Sequence, residues 1–392
     1  MINRAVIQKI LEDATYFPVL SIIGPRQVGK TTLAKSLQAQ LGKETLYLDL
    51  ELDDDARLLE QPTRFFQQES DKCIIIDEVQ RAPHLFALLR AIVDQKREPA
   101  RFLLLGSASP WLLRHSSESL AGRIAYTELT PFCVTELPSE ITLSTHWFRG
   151  GFPNALLAPS DALCGRWLEN LIKTFVERDV RLLGYELAPA ALSRLISVLA
   201  TVHGNLLNIS DLSRTLGVSQ PTIKHYLDIL EGAFLIARLQ PYYVNTTKRL
   251  VKSPKLYIRD SGILHRLSNI ASSNDLLNHI IAGASWEGYV IEQIRRHTFQ
   301  RWEYYFYRTQ KGAEADLMLI APNGKKVIIE IKLSNAPSVS RGFHEVVADI
   351  MPDFRYIITP YSRSYQKDDG LHVVSLRAFL EQEIIRIENS PS

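Results

Sequence analysis

The stretch Gly24-Pro25-Arg26-Gln27-Val28-Gly29-Lys30-Thr31-Thr32 restricts what this chain can fold into more than any other. An apolar run, Val19-Leu20-Ser21-Ile22-Ile23, precedes it, and Leu33-Ala34-Lys35-Ser36-Leu37 follows with the spacing of a helix that buries one face. Strand, glycine loop and helix in that order make a phosphate cradle, because backbone N–H groups converge at a helix N-terminus whose dipole favours negative charge. Gly24 and Gly29 let the backbone close on the ligand, and Pro25, Arg26, Gln27, Val28 and Thr32 complete the loop. Lys30 reaches the β- and γ-phosphates as a point charge, while the Thr31 hydroxyl is placed to ligate Mg2+. The ligand implied is ATP with Mg2+.

Through about residue 130, short apolar runs alternate with helical patterns, the signature of a parallel sheet covered on both faces. Thr45-Leu46-Tyr47-Leu48-Asp49-Leu50 is one such run, and Cys73-Ile74-Ile75-Ile76-Asp77-Glu78 is another. The second ends in the acids that an ATP site needs: Asp77 to hold Mg2+ through water, Glu78 to orient and polarise the attacking water. A third strand, Arg101 to Gly106, ends at Ser107, which reads either as a sensor of the γ-phosphate or as a helix cap. Arg123, after Leu120-Ala121-Gly122, is either a finger for a neighbouring subunit's γ-phosphate or a surface arginine.

Composition bounds the rest. A chain of 392 residues exceeds one ordinary core and suggests about two or three domains. With 46% hydrophobic and 22% charged residues and a net charge of +2, it reads as globular without a uniformly basic surface, so any nucleic-acid contact must come from local patches. Cys73, Cys133 and Cys164 are too far apart for a disulfide framework or a zinc knuckle, which points to a reducing cytoplasm. The amino end is a charged amphipathic helix unlike a signal peptide, and no apolar run approaches the ~20 residues that span a bilayer.

These motifs, with Leu104-Leu105-Gly106-Ser107, Glu128-Leu129-Thr130-Pro131-Phe132 and Gly150-Gly151-Phe152-Pro153, resemble the prokaryotic AAA-family ATPases that carry a C-terminal DUF4143 domain. Glu177-Arg178-Asp179-Val180 and Leu256 to Gly262 resemble the same family, so the likeness extends over nearly the whole chain. It implies nucleotide binding and hydrolysis. Gly151-Phe152-Pro153 is similar to an element that lies near the bound nucleotide in related signal-transduction ATPases.

Beyond residue 160, Trp167, Leu168, Leu171, Ile172, Phe175 and Val176 recur at helical spacing and read as a lid or connector. Ile209 to Leu227 reads as a helix-turn-helix, with Ser210 and Ser219 as N-caps, Gly217 in the turn and Pro221 in a first helical turn. Burying Ile223, Leu227 and Leu230 leaves Gln220, Thr222, Lys224 and His225 facing outward, as a recognition helix requires. Phe234 to Leu239 and Lys255 to Ile258 then form a winged hairpin with a basic tip of Lys248, Arg249, Lys252 and Lys255, suited to DNA phosphates. Docking of a protein partner or self-association is the open alternative.

In the last third, Ala313-Glu314-Ala315-Asp316 and, past a turn at Pro322-Asn323-Gly324, Val327-Ile328-Ile329-Glu330-Ile331-Lys332 resemble the D…(D/E)-x-K core of restriction-endonuclease-like folds. The chemistry would be a metal, Mg2+ or Mn2+, held by Asp316 and Glu330 with Glu287 contributing from a helix, while Lys332 orients or deprotonates water. Register decides whether this is feasible: a three-residue loop with Gly324 at positive φ pairs Asp316 with Glu330, and we expect that arrangement. Ala315 stands where that motif has proline. Without catalysis, the same residues are a cross-strand charge cluster on a fold kept for binding.

The expected fold class is α/β, with a P-loop NTPase parallel sheet (1–160), helical lid (161–188), winged helix-turn-helix (189–270) and restriction-endonuclease-like domain (271–392). The expected function is ATP hydrolysis whose nucleotide state regulates a DNA-binding, nuclease-like C-terminal half. A switch that binds DNA or protein without nuclease chemistry is the alternative.

Overall fold

The computed structural model describes residues 2–107, 120–182, 187–243, 250–299, 301–334, 336–361, 363–367 and 370–391. They form two compact units, Met1–Pro131 with Gly232–Phe234, and Phe132–Glu231 with Leu235–Ser392.

The first unit holds β1 (Val19–Gly24), β2 (Thr45–Asp49), β3 (Cys73–Asp77), β4 (Phe102–Ser107) and β5 (Ile124–Glu128). All pair in parallel in the order β2-β3-β4-β1-β5, with Ile22 opposite Leu105 and Ile76 opposite Leu104. Continuous apolar runs form the central strands because both faces are covered; every residue of β1 and β3 is buried. Ile74, Ile76, Phe102 and Leu104 pack with Leu85, Phe86, Leu89 and Val93 of the helix Leu85–Gln95. Fully burying each such side chain contributes about 1.5–3 kcal/mol. β4 lies between the phosphate-loop strand and the acid-bearing strand, so their carboxyl ends and that of β4 open on one edge of the sheet.

The second unit carries β6 (Ile236–Pro241), β7 (Lys255–Ile258), β8 (Glu303–Arg308), β9 (Glu314–Ile320), β10 (Lys326–Ile331), β11 (Phe354–Thr359), β12 (Tyr365–Gln366) and β13 (Leu371–Ser375) in one mixed sheet, ordered β12-β13-β11-β10-β9-β8-β6-β7. The helix Ala282–His297 buries Trp286, Val290 and Ile294 with Leu317, Leu319, Val327 and Ile329 of this sheet. A second core gathers Leu168 and Val176 with Leu192, Leu195, Leu199, Ile223, Leu227 and Leu230.

The units divide the chain differently from the sequence reading. Residues 132–160, expected in the first domain, and the hairpin β6–β7, expected within 189–270, both group with the second unit. β6 pairs in parallel with β8, Gln240 opposite Tyr305, so the winged hairpin extends the C-terminal sheet. An edge strand exposes unpaired N–H and C=O groups, and β8 covers that edge of β6.

The helix-turn-helix comprises Ile209–Leu216 and Gln220–Gly232, with Gly217 left-handed at φ 69°. Asn208, not Ser210, caps the first helix, accepting from the N–H groups of Ser210 (3.1 Å) and Asp211 (3.2 Å); Ser219 accepts from the Thr222 N–H (3.3 Å). Ile223, Leu227 and Leu230 are buried, while Gln220, Lys224 and His225 are exposed and Thr222 partly so. Lys248 and Arg249 lie outside the described residues, and Lys252 is exposed. Lys255 does not belong to a basic tip: it is 3% exposed, within β7. The three cysteines are buried free thiols, and among the described residues no helix is long and apolar enough to cross a membrane.

Candidate functional site

The nucleotide cradle is built by β1, its loop and the helix Lys30–Leu37. Gly24 has no room for a side chain, since a Cβ there would stand 2.2 Å from the Leu129 carbonyl oxygen. Gly29 caps the helix at φ 98°, where a β-carbon is strained, and Gln27 is also left-handed at φ 65°. Val28 is fully buried and anchors the loop; Arg4 donates to its carbonyl (3.4 Å), a brace that no local motif signals. Pro25 and Arg26 are half-buried, Gln27, Thr31 and Thr32 exposed. The Lys30 ammonium donates to the carbonyls of Gly24 (3.0 Å) and Pro25 (2.9 Å), so it stays inside the loop that it would serve.

Across the cradle, the Thr31 hydroxyl donates to Asp77 Oδ2 (2.6 Å), and the Tyr47 hydroxyl donates to the same oxygen (2.6 Å). Burial, then the hydrogen bond to Asp77, push the Tyr47 phenol above its usual range, so it stays a donor. A hydroxyl and a carboxylate side by side at a helix N-terminus are the oxygen donors a hard cation takes, so the residues fit Mg2+. The Asp77 carboxylate also accepts from the Glu78 N–H (2.9 Å), and Glu78 sits at φ 55° where strand turns into the 3-10 helix Val79–Arg81. Gln80 Nε2 donates both to the Glu78 carboxylate and to Ser107 Oγ (3.1 Å). Arg123 is held by Asp94 (2.6 Å) and the Ala121 carbonyl (2.8 Å) within its own unit.

In the second unit the β9–β10 register runs Lys326↔Ile320 to Ile329↔Leu317, which puts Asp316 opposite Glu330 one step further. The loop is Pro322-Asn323-Gly324, closed by Ala321 N–H to the Lys325 carbonyl (2.9 Å), with Gly324 at φ 82°. Asp316 accepts from the Ile331 N–H (2.8 Å), and Lys332 Nζ contacts Glu330 at 2.6 Å.

The cluster contains one residue that the sequence reading assigned elsewhere. Lys255 Nζ bonds Glu287 Oε1 (2.9 Å) and Glu314 Oε1 (2.7 Å), and the Tyr257 hydroxyl donates to the same Glu287 oxygen (2.5 Å). Burial opposes charge on Lys255, but Glu287, Asp316 and Glu314 outweigh it and hold the ammonium above the usual lysine range. Burial, then Glu287 and Glu330, push the Asp316 carboxyl well above the usual carboxylate range; burial pushes Glu330 the same way against the pull of Lys332.

These residues do not fit a second metal. Among the described residues no group of three or more His, Cys, Asp and Glu is placed to hold one. Glu287, Asp316 and Glu330 do converge, but the cations among them are the ammonium groups of Lys332, at Glu330, and of Lys255, at Glu287. Only the place of Lys255 in β7, remote in sequence from the motif, reveals the latter.

Gly151, Phe152 and Pro153 lie in the second unit, where the Gly151 N–H donates to Asp260 Oδ2 (2.9 Å). A Cβ at Gly262 would stand 2.1 Å from the Arg149 carbonyl oxygen, so the two glycine motifs meet as packing elements.

Residues 16–138 match the AAA domain family, 140–274 a domain of unknown function (DUF8612), and 282–379 a domain of unknown function (DUF4143). An uncharacterised protein of Mycobacterium tuberculosis is 39% identical over 357 residues, covering 91% of this chain and 80% of that protein. One of Haemophilus influenzae is 25% identical over 295 residues, covering 67% and 72%. Among solved structures, a Walker-type ATPase of Pyrococcus abyssi is similar over 68% of this chain and 96% of its own, at 15% identity and a TM-score of 0.47.

Proposed function

The chain belongs to the AAA-type P-loop ATPases that carry a C-terminal DUF4143 domain, and from that membership we propose that it binds ATP with Mg2+ and hydrolyses it, as a switch for a C-terminal half that binds rather than cuts. The observation that carries the hydrolytic reading is the 2.6 Å contact of Thr31 with Asp77, with Glu78 next in the chain at the mouth of the cradle. Thr31 and Asp77 would hold Mg2+, whose charge would offset the negative charge that develops in the transfer. Backbone N–H groups of residues 27–31 orient the phosphates, Lys30 turns from loop carbonyls to phosphate oxygens, and the Glu78 carboxylate takes a proton from the attacking water.

Replacing Glu78 by Gln keeps the shape but removes the base. Nucleotide binding is expected to persist while turnover falls by about 100-fold or more. Undiminished phosphate release by Glu78→Gln would remove Glu78 from this role.

For the C-terminal half, the Lys255 ammonium bonded to Glu287 and Glu314 favours binding over cleavage. The exposed side chains Gln220, Lys224 and His225 on the second helix of the helix-turn-helix suit a nucleic-acid groove, and DNA is the partner proposed. Plasmid incubated with Mg2+ or Mn2+ should stay intact with wild type and with Lys332→Ala alike. Nicking by wild type that Lys332→Ala abolishes would restore the nuclease reading. ATP turnover measured with and without duplex DNA tests the switch, stimulation being the expected result.

A further inference from the structure

We propose that Gln80 is a second catalytic residue of the ATP site, holding the attacking water together with Glu78; the inference rests on the hydrolytic reading above. Gln80 follows β3 by three residues, and its side-chain amide spans the ends of two adjacent strands. Nε2 donates to the carboxylate of Glu78 and to Ser107 Oγ at the tip of β4 (3.1 Å). The orientation of the amide follows from chemistry: a carboxylate accepts and cannot donate, so the nitrogen must face it.

That orientation leaves Gln80 Oε1 buried with no hydrogen-bond partner among the described residues. A buried acceptor without a donor is costly, on the order of 1–3 kcal/mol. The orphan oxygen belongs to an amide already tied to the general base, and it accepts only. The attacking water is the donor that chemistry supplies at this place. It has two hydrogens: one goes to the Glu78 carboxylate, the other to Gln80 Oε1, which aims the water's lone pair at the γ-phosphorus.

In the step itself, a bond forms between the water oxygen and the γ-phosphorus while the bond to the bridging oxygen breaks. The electron pair of that bond leaves with ADP, and the proton lost by water goes to Glu78 and is later released. Gln80 neither gains nor loses a proton; its amide fixes the water and links it to Ser107, so that Ser107 acts through Gln80 as a positioning residue.

Gln80→Ala is expected to lower kcat by about 10- to 100-fold while KM for ATP, and the Kd of a non-hydrolysable ATP analogue, change less than about threefold. That split, with kcat lost while KM and analogue affinity are kept, is what a merely structural role would not give. A kcat for Gln80→Ala within twofold of wild type, with Glu78→Gln inactive, overturns this inference alone. A wild type that binds nucleotide without turning it over overturns the hydrolytic reading and this inference with it.

Discussion

Lys255 and Asp316 show how far a residue's meaning depends on what faces it. In sequence Lys255 is one cation of a basic loop; in the fold it is the counter-ion of Glu287 and Glu314. Glu314 also pairs with Arg308 (3.3 Å), so Lys255→Met would leave chiefly Glu287 without its counter-charge, at a cost of about 3–5 kcal/mol, measured as a lowered urea midpoint that Glu287→Gln in the same chain partly restores. Asp316 behaves in the opposite sense. Its carboxyl is pushed up by burial and by Glu287 and Glu330, so the ionised form works against folding above the folded-state pKa. Asp316→Asn, which still accepts from Ile331, should therefore raise the thermal midpoint near pH 8.5. The gain should fade as pH falls through that pKa and Asp316 itself becomes neutral. A midpoint lowered at pH 8.5 would contradict this account of the cluster.

Among the elements, the strand, loop and helix around Lys30 were readable from residues 19–37 alone, because a glycine cradle needs only neighbours in sequence. The strand expected over Arg101 to Gly106 is β4, but its place between β1 and β3 rests on pairing between strands far apart in the chain. The helix-turn-helix was readable to within its caps: Gly217 and the buried face of Gln220–Gly232 were anticipated, but Asn208 takes the N-cap that Ser210 was given. Both residue types are good caps, and only backbone geometry chooses between them. Asn208→Ala should cost about 1 kcal/mol, and Ser210→Ala less than about 0.5; equal losses would deny Asn208 its role. On the exposed face, Lys224→Ala should weaken duplex DNA binding uniformly across sequences and reduce the salt slope by about 1. Binding unchanged at every salt concentration would remove this helix from the contact.

At the scale of the whole molecule, the pairing of β6 with β8 makes the winged hairpin and the C-terminal sheet one folding unit. A fragment of residues 132–392 should unfold cooperatively, whereas residues 271–392 alone lose Lys255 and the strand that covers β8. The shorter piece is expected to associate or lack a cooperative transition; a sharp monomeric one would show that the hairpin is dispensable. By itself the sequence determined the nucleotide cradle, the acid pair at residues 77 and 78, and the three-residue loop that sets Asp316 opposite Glu330, since each rests on local spacing and alternation. Tertiary structure alone decided that Lys255 joins the second acidic cluster, that Gln80 ties Glu78 to Ser107, and that the winged hairpin and the C-terminal sheet are one sheet. The reason is that charge pairing and strand-edge pairing join residues distant in the chain, where no local pattern records the partner.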